Sequence, residues 1–502
     1  MRSTLLLGSA LLTVVAAGPA AAETLQGALA KAYANNPTLT GARAGQRAID
    51  ETVPIARSQG LPNVGVGSGF NQQVIQGSGG GSGSGGFQQP DRSVSIGPTI
   101  SVPIYLGGQV RNSVRAAEQR VEAGQASLRA TESSLFSQVV GAYMDVLRDQ
   151  AVVSLNRGNV SVLEVDRQAT GDRFEIGDLT RTDVAQSEAR LAFARSQLRG
   201  AEAQLIGSRE RYIRLVGDAP VDLQPPPQLP GLPGSPTQAV EVALEENPDI
   251  EAAQNRVEAS DYDIRVARAA RLPSVTVNGQ AGYVNYLGSG GGGIGTAGFD
   301  NSTTSATVGV SANIPIFQGG RPAAQIRQAQ ARSSQTIEQL IETERSVVAQ
   351  ARAAYAALQA SQQDIQSSQT AVEANRLSLE GVRAENSVGT RSILDILNAE
   401  QELLNSQVTL VTARRDAYVA AFTLLAAMGQ AEAQDLGLEN GALYDPNSNR
   451  TRVRNRIWDW SSDPNPTPQA TRTVSTPAQD ASVPDGNLPG MPTPVRDPLR
   501  PQ

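Results

Sequence analysis

Hydrophobic and polar positions change rhythm several times along the chain. Within residues 319–429, Val347, Ala351, Ala354, Leu358, Ser361, Ile365, Ser368, Val372, Asn375, Leu379 and Val382 are spaced alternately by four and three. That is the 3.5-residue repeat of a coiled-coil seam. Much of the seam is Ala, Ser or Asn, so it suits closely approaching helices better than a thick core. A second rhythm has period two. Val94, Ile96, Ile100, Val102 and Ile104 alternate with Ser93, Ser95, Thr99 and Ser101. Further on, Val308, Val310, Ala312, Ile314 and Ile316 alternate with Thr307, Gly309, Ser311 and Asn313. Weaker partner runs precede them, with Val64, Val66 and Phe70 in one case and Val275, Val277 and Tyr283 in the other. The pattern predicts β-hairpins over 63–104 and 274–316, each with a Gly-rich loop, at 77–86 and 288–298.

Proline marks the helices by its absence. None occurs between Pro103 and Pro220, or between Pro322 and Pro446, and proline is strongly disfavoured inside helices. Each run is interrupted by one turn, near Gly177 in the first and at Val388-Gly389-Thr390 in the second. The breakers predict a helix of about 67 residues before each turn and one of about 40 after it.

These elements recur. Residues 28–37, ending in Asn-Pro, return as residues 239–248, and Leu61-Pro62 returns as Leu272-Pro273. Residues 103–108 return as 315–320, and Gly177 with Asp183 and Glu188 returns as Gly389 with Asp395 and Glu400. So many landmarks in one register indicate a tandem duplication. The expected organisation is a first repeat over 23–219, a Pro-rich linker over 220–236, a second repeat over 237–429 and a tail over 430–502. The tail is rich in Pro, Ser, Thr, Asn and Asp, so it is expected to be largely disordered in the periplasm, with Trp458 and Trp460 as a local cluster.

Composition narrows the chemistry. Histidine and cysteine are absent and Lys31 is the only lysine. This excludes Ser-His-Asp and Cys-His nucleophiles, Cys/His zinc sites and a phosphate-binding loop, so neither enzyme activity nor a cofactor is expected. A net charge of -7 argues against a nucleic-acid partner. At the start, Arg2, the apolar run 5–17 and Pro19-Ala20-Ala21-Ala22 predict a secretory leader over 1–22. Without cysteine, an N-terminal lipid anchor is not expected.

An apolar face opposite a small polar face over about ten residues fits a strand of a membrane barrel. A soluble hairpin shows the same alternation, but no segment is left to cover these apolar faces. Tyr105 and Phe317, placed just beyond the second strand of each pair, suit an interfacial aromatic belt. Two hairpins supply four strands, too few to close a barrel, so closure calls for further copies of the chain.

With the duplication, the Asn-Pro starts, the Pro315-Ile-Phe-Gln-Gly-Gly320 junction and Val388-Gly389-Thr390-Arg391-Ser-Ile-Leu-Asp395 at the turn, residues 23–429 resemble the TolC-like outer-membrane channels of Gram-negative bacteria. The resemblance implies a homotrimer, with a twelve-stranded barrel in outer-membrane lipid continued by a coiled-coil tunnel across the periplasm. It implies a passive exit duct for type I secretion or efflux, opened when a periplasmic adaptor and an inner-membrane ABC or proton-driven transporter dock at the hairpin tips. It places the periplasmic aperture at Asp395 and Asn398, where the family has two aspartates. Gating contacts map to Arg391 with Thr182 and Asp183, and Asn386 stands where the family has a tyrosine. The unlipidated start and the 315–320 junction are closer to the type I secretion branch than to drug efflux alone. Apart from the resemblance, Asp183 and Asp395 lie within the first turn or two of a helix, where the helix dipole favours an acidic side chain. A periplasmic coiled-coil spacer or adaptor without a pore is the reading from another class.

Overall fold

The computed structural model describes residues 23–74, 92–288, 300–438 and 443–483. The expected leader, most of both Gly-rich loops and the end of the tail lie outside the described residues. The first repeat runs α1 (Leu25–Asn35), α2 (Pro37–Asp50), α3 (Thr52–Ser58), β1 (Asn63–Gln72), β2 (Arg92–Leu106), α4 (Gln109–Glu175) and α5 (Arg181–Val216). The second runs α6 (Pro236–Glu246), α7 (Pro248–Ala269), β3 (Ser274–Asn285), β4 (Ser302–Asn313), α8 (Arg321–Ser387) and α9 (Ile393–Ala427); α10 (Pro446–Val453) follows. The long arms α4 and α8 each have 67 residues. The return arms have 36 and 35, shorter than expected; α5 stops at left-handed Gly217, and Gly429 closes the turn that follows α9.

The strands form one antiparallel sheet in the order β1-β2-β3-β4. Its register joins the apolar positions into one face. Val64 opposes Ile100, Val102 opposes Val277, and Val277 opposes Val310. The other face carries hydroxyls and amides, where Ser101 donates to Asn278 at 3.0 Å and Asn278 to Ser311 at 2.9 Å. Val66 and Val310 are 71% and 72% exposed, so the apolar face has no cover within the chain. Two strand ends differ from the sequence expectation. Tyr105 lies inside β2, where an irregularity after Pro103 places it opposite Val275. Strand β4 stops at Asn313, leaving Ile314 and Ile316 beyond it and Phe317 88% exposed.

The repeat is visible in its joints. Asn36 accepts from the Thr38 amide and donates to the Leu215 carbonyl at the end of α5. Asn247 does the same with Asp249 and with Ala427 at the end of α9. Each Asn-Pro thus caps one helix and ties it to another, with proline at the first helical position, where no amide partner is needed. In the second joint, a Cβ at Gly429 would meet the Glu246 carbonyl oxygen at 2.4 Å, so the close approach requires glycine.

The thickest core lies midway along the hairpins, where Phe136, Tyr143, Tyr212 and Phe422 are almost fully buried with Leu29 and Leu39. Burial of such side chains contributes roughly 1.5–3 kcal/mol each. Tyr143 shares its hydroxyl proton between the Glu23 carbonyl at 2.8 Å and the Gln224 carbonyl at 2.6 Å, so the segment before α1 and the linker are clasped to α4. Away from this level the packing thins to single seams, as at Val372, Leu379, Ile396 and Leu403 between α8 and α9.

The expectation of a largely disordered tail needs correction over 443–483. Asn449 donates to buried Asp50 at 2.8 Å, and Arg209 reaches Asp480 and the Ser482 carbonyl. Composition missed this because the order comes from partners hundreds of residues away rather than from an apolar pattern.

Candidate aperture at the hairpin tips

Both tips are built alike. Each long arm ends in a glycine with φ 81°, Gly177 and Gly389, and each return arm opens with a reciprocal capping box. Thr180 donates its amide and hydroxyl to Asp183 at 2.9 and 2.7 Å. Ser392 does so to Asp395 at 3.0 and 2.7 Å, and the Asp395 amide returns to the Ser392 hydroxyl. The carboxylates therefore satisfy orphan donors at the helix start. The serine hydroxyl and then its amide hold the Asp395 carboxyl below its ordinary range, as Thr180 does for Asp183. Asp395 stays ionised and half-buried at the tip.

The second turn carries further bonds. Arg391 donates Nε to Glu385 at 2.7 Å, Asn386 donates to the Arg391 carbonyl at 2.7 Å, and Thr390 donates to the Glu385 carbonyl at 2.8 Å. Val388 is 74% exposed. Within one protomer, then, Arg391 is held by its own hairpin, Asp183 is engaged by Thr180, and the two do not meet; Thr182 is exposed. Among the side chains bridging the hairpins here is Arg190 of α5, which donates to Asn398 of α9 at 2.5 Å.

Beneath the tip lies a buried charge cluster. Glu400 of α9 is 6% exposed and receives Arg383 of α8 at 2.7 Å. It borders a cavity of about 80 Å³ lined by Leu155, Asn159, Leu379 and Gln407 among others. Burial, and then neighbouring Asp166 of α4, raise its carboxyl well above the ordinary value. Sequence reading noted Glu400 as a repeat landmark but not its role. A charged residue on the seam side of an otherwise apolar helix face was the available signal. For Glu385 the signal was its placement across the turn from Arg391, whereas Arg190 needed the fold.

No helix among the described residues is long and apolar enough to cross a membrane. The family model described as outer membrane efflux protein matches residues 28–218 and 239–430, one match per repeat. Outer membrane efflux protein BepC of Brucella suis is 34% identical over 444 residues, covering 88% of this chain and 93% of BepC. Outer membrane protein TolC of Escherichia coli is 27% identical, covering 94% of this chain and 92% of TolC. Among solved structures, the CmeC outer membrane channel of Campylobacter jejuni superposes with a TM-score of 0.71 at 18% identity, covering 86% of this chain and 89% of CmeC. Four strands feeding two long helical hairpins are thus the barrel-and-tunnel architecture of outer-membrane channels. The chain belongs to the outer membrane efflux protein family, as a TolC-like exit duct of the outer membrane.

Proposed function

We propose that three copies assemble into one passive duct, a twelve-stranded barrel in outer-membrane lipid above a tunnel whose periplasmic end narrows at the tips of α8 and α9. The observation that carries this is the four-stranded sheet itself. Its two outer strands, β1 and β4, each pair on one side only, and its apolar face is uncovered. Pairing β4 of one copy with β1 of the next removes both edges and turns the apolar face to lipid. The duct performs no chemistry of its own. An inner-membrane ABC or proton-driven transporter and a periplasmic adaptor dock at the tips and open the aperture. Asp395 supplies its charge, with Asn398 one turn along α9, while the Arg391–Glu385 pair and the Arg190–Asn398 bond hold the resting tip. The family match and the efflux name of the BepC relative support export of small molecules, and the Pro315–Gly320 junction, which resembles that of the type I secretion branch, supports secretion of protein by the same duct.

The purified protein is expected to resist carbonate extraction from membranes, to migrate as a heat-modifiable oligomer and to conduct ions in a planar bilayer. Release by carbonate as a monomer would refute the duct. Deleting the gene and assaying both secreted protein and drug sensitivity assigns the cargo.

A further inference from the structure

The tail does not wander over the surface; it climbs towards the barrel and returns. Tyr444 donates its amide to the Tyr33 hydroxyl at 3.0 Å, Asn447 accepts from Gln125 at 3.3 Å, and Arg450 lies 3.6 Å from Glu122. The α4 partners thus move towards its N-terminus, the end joined to β2. Arg57 then donates to the Arg454 carbonyl at 3.2 Å and to Asn455 at 3.1 Å. After the apex the chain turns back. Asp463 closes the excursion by accepting from Arg452 at 2.7 Å and Arg456 at 3.0 Å, and by 479–482 the tail is beside Glu210 and Arg209 near the middle of the body.

The apex carries Ile457, Trp458 and Trp460, exposed by 73%, 73% and 87%. These are both of the tryptophans in the chain. Their anchor, Arg57, lies at the end of α3, six residues before β1 begins at Asn63. The adjacent Gly60 packs on Val110 in the first turn of α4. The apex therefore sits near the periplasmic rim of the sheet. The same segment holds Arg450, Arg452, Arg454 and Arg456 against Asp459 and Asp463, an excess of positive charge around the aromatic pair.

We propose that residues 454–460 form a membrane anchor on the periplasmic leaflet of the outer membrane, with Ile457, Trp458 and Trp460 set among the headgroups and Arg454 and Arg456 facing anionic lipid phosphates. Indole rings favour the interface, where an apolar body and a polar N–H are both satisfied. Arginines beside them gain from a negative lipid surface. A headgroup layer roughly 5–8 Å thick on each side of the hydrocarbon core is within reach of a segment anchored this close to the strand ends. The anchor ties the wall of the tunnel to the membrane at a second place besides the strands.

Because Trp458 and Trp460 are the only tryptophans, tryptophan emission from the full-length protein, excited selectively over its tyrosines, reports on this segment alone. The protein is reconstituted into nanodiscs of phosphatidylcholine with or without phosphatidylglycerol, and as a reference into lipid-free amphipol. Lipids brominated near the headgroup are expected to quench the emission, and aqueous iodide is expected to quench about threefold less in nanodiscs than in amphipol. Arg454→Gln with Arg456→Gln should abolish any gain in protection from phosphatidylglycerol while leaving conductance unchanged. Free access of iodide with no bromolipid quenching would overturn the proposal. So would equal protection in amphipol and nanodiscs, which would mean that a second copy or this chain covers the tryptophans.

Discussion

Asp395 has two roles assigned to it, a helix cap and an aperture charge, and a pair of substitutions separates them. Asp395→Gln removes the charge but keeps an acceptor at the third position of the capping box, where Gln serves as well as a carboxylate. Ser392→Ala removes the cap, which costs about 1 kcal/mol per helix and makes fraying of the first turn of α9 about fivefold more frequent, yet it leaves the carboxylate in place. In the proposed trimer three carboxylates face one axis. In water a unit charge about 8 Å away enriches a monovalent cation roughly twofold, and three together roughly tenfold, before screening over about 10 Å of ionic atmosphere. The assay is the reversal potential of single channels across a KCl gradient, with divalent-cation block as a second readout. Asp395→Gln is expected to lose most of the cation preference and the block. Ser392→Ala should retain both while its current becomes noisier. Since the Ser392 hydrogen bonds hold the Asp395 carboxyl below its ordinary range, the wild-type preference should persist as pH falls into the usual carboxylate range. An unchanged reversal potential in Asp395→Gln would remove the charge from the aperture and leave Asp395 as a cap alone.

Other parts of the chain lead to equally direct tests. The carboxyl of Glu400 is raised in the folded tip, from 4.5 to about 7, so its contribution is present in acid and lost as pH rises between those values; tip-directed proteolysis should quicken across that window, and Glu400→Gln should flatten the dependence, whereas an identical profile would exclude Glu400. Tyr143→Phe leaves the Glu23 and Gln224 carbonyls without their buried donor and should cost about 1–3 kcal/mol, read as a lower thermal midpoint of the assembled oligomer. A Cβ at Gly97 would meet the Ala281 carbonyl oxygen at 2.0 Å, so Gly97→Ala should block barrel assembly and deplete the heat-modifiable species; normal assembly would show that β2 and β3 separate more easily than their register implies.

Much of the fold was legible because long elements repeat one physical rule many times. A 3.5-residue seam, two period-two hairpins and the exclusion of proline each leave many consistent positions, and duplication states them twice. The turn glycines and the acidic Asp183 and Asp395 near the helix starts were legible for the same reason, whereas the capping hydroxyls of Thr180 and Ser392 emerged only with the structure. The tail was not, because Asn449 on Asp50 and Asp480 on Arg209 are isolated polar contacts between distant residues, and no local pattern marks them. In the aperture, Asp395 and Arg391 could be placed on a turn, but their partners could not. Glu385 claims Arg391 from the same hairpin, and Arg190 reaches Asn398 only because α5 and α9 run side by side. Burial of Glu400 likewise depends on α4 and α8 closing over one side of α9.

Comparison of the two copies decides which tip residues to suspect of function. The turn glycine, the capping hydroxyl and the third-position aspartate occur in both, with the same bonds, so folding of a tip accounts for them. Charge around the turn does not repeat. Leu179 stands in the first copy where Arg391 stands in the second, and Glu188, the counterpart of buried Glu400, is exposed beside Arg167. Arg391→Leu therefore transplants a residue that a tip of this fold already accommodates. The Arg391–Glu385 pair is exposed, so its loss should leave the fold and the oligomer intact. If Arg391 holds the second turn in its resting shape, the variant should conduct more than the wild type before any adaptor is added. Conductance and open probability equal to wild type would make Arg391 a solvated turn residue and shift the resting hold to the Arg190–Asn398 bond alone.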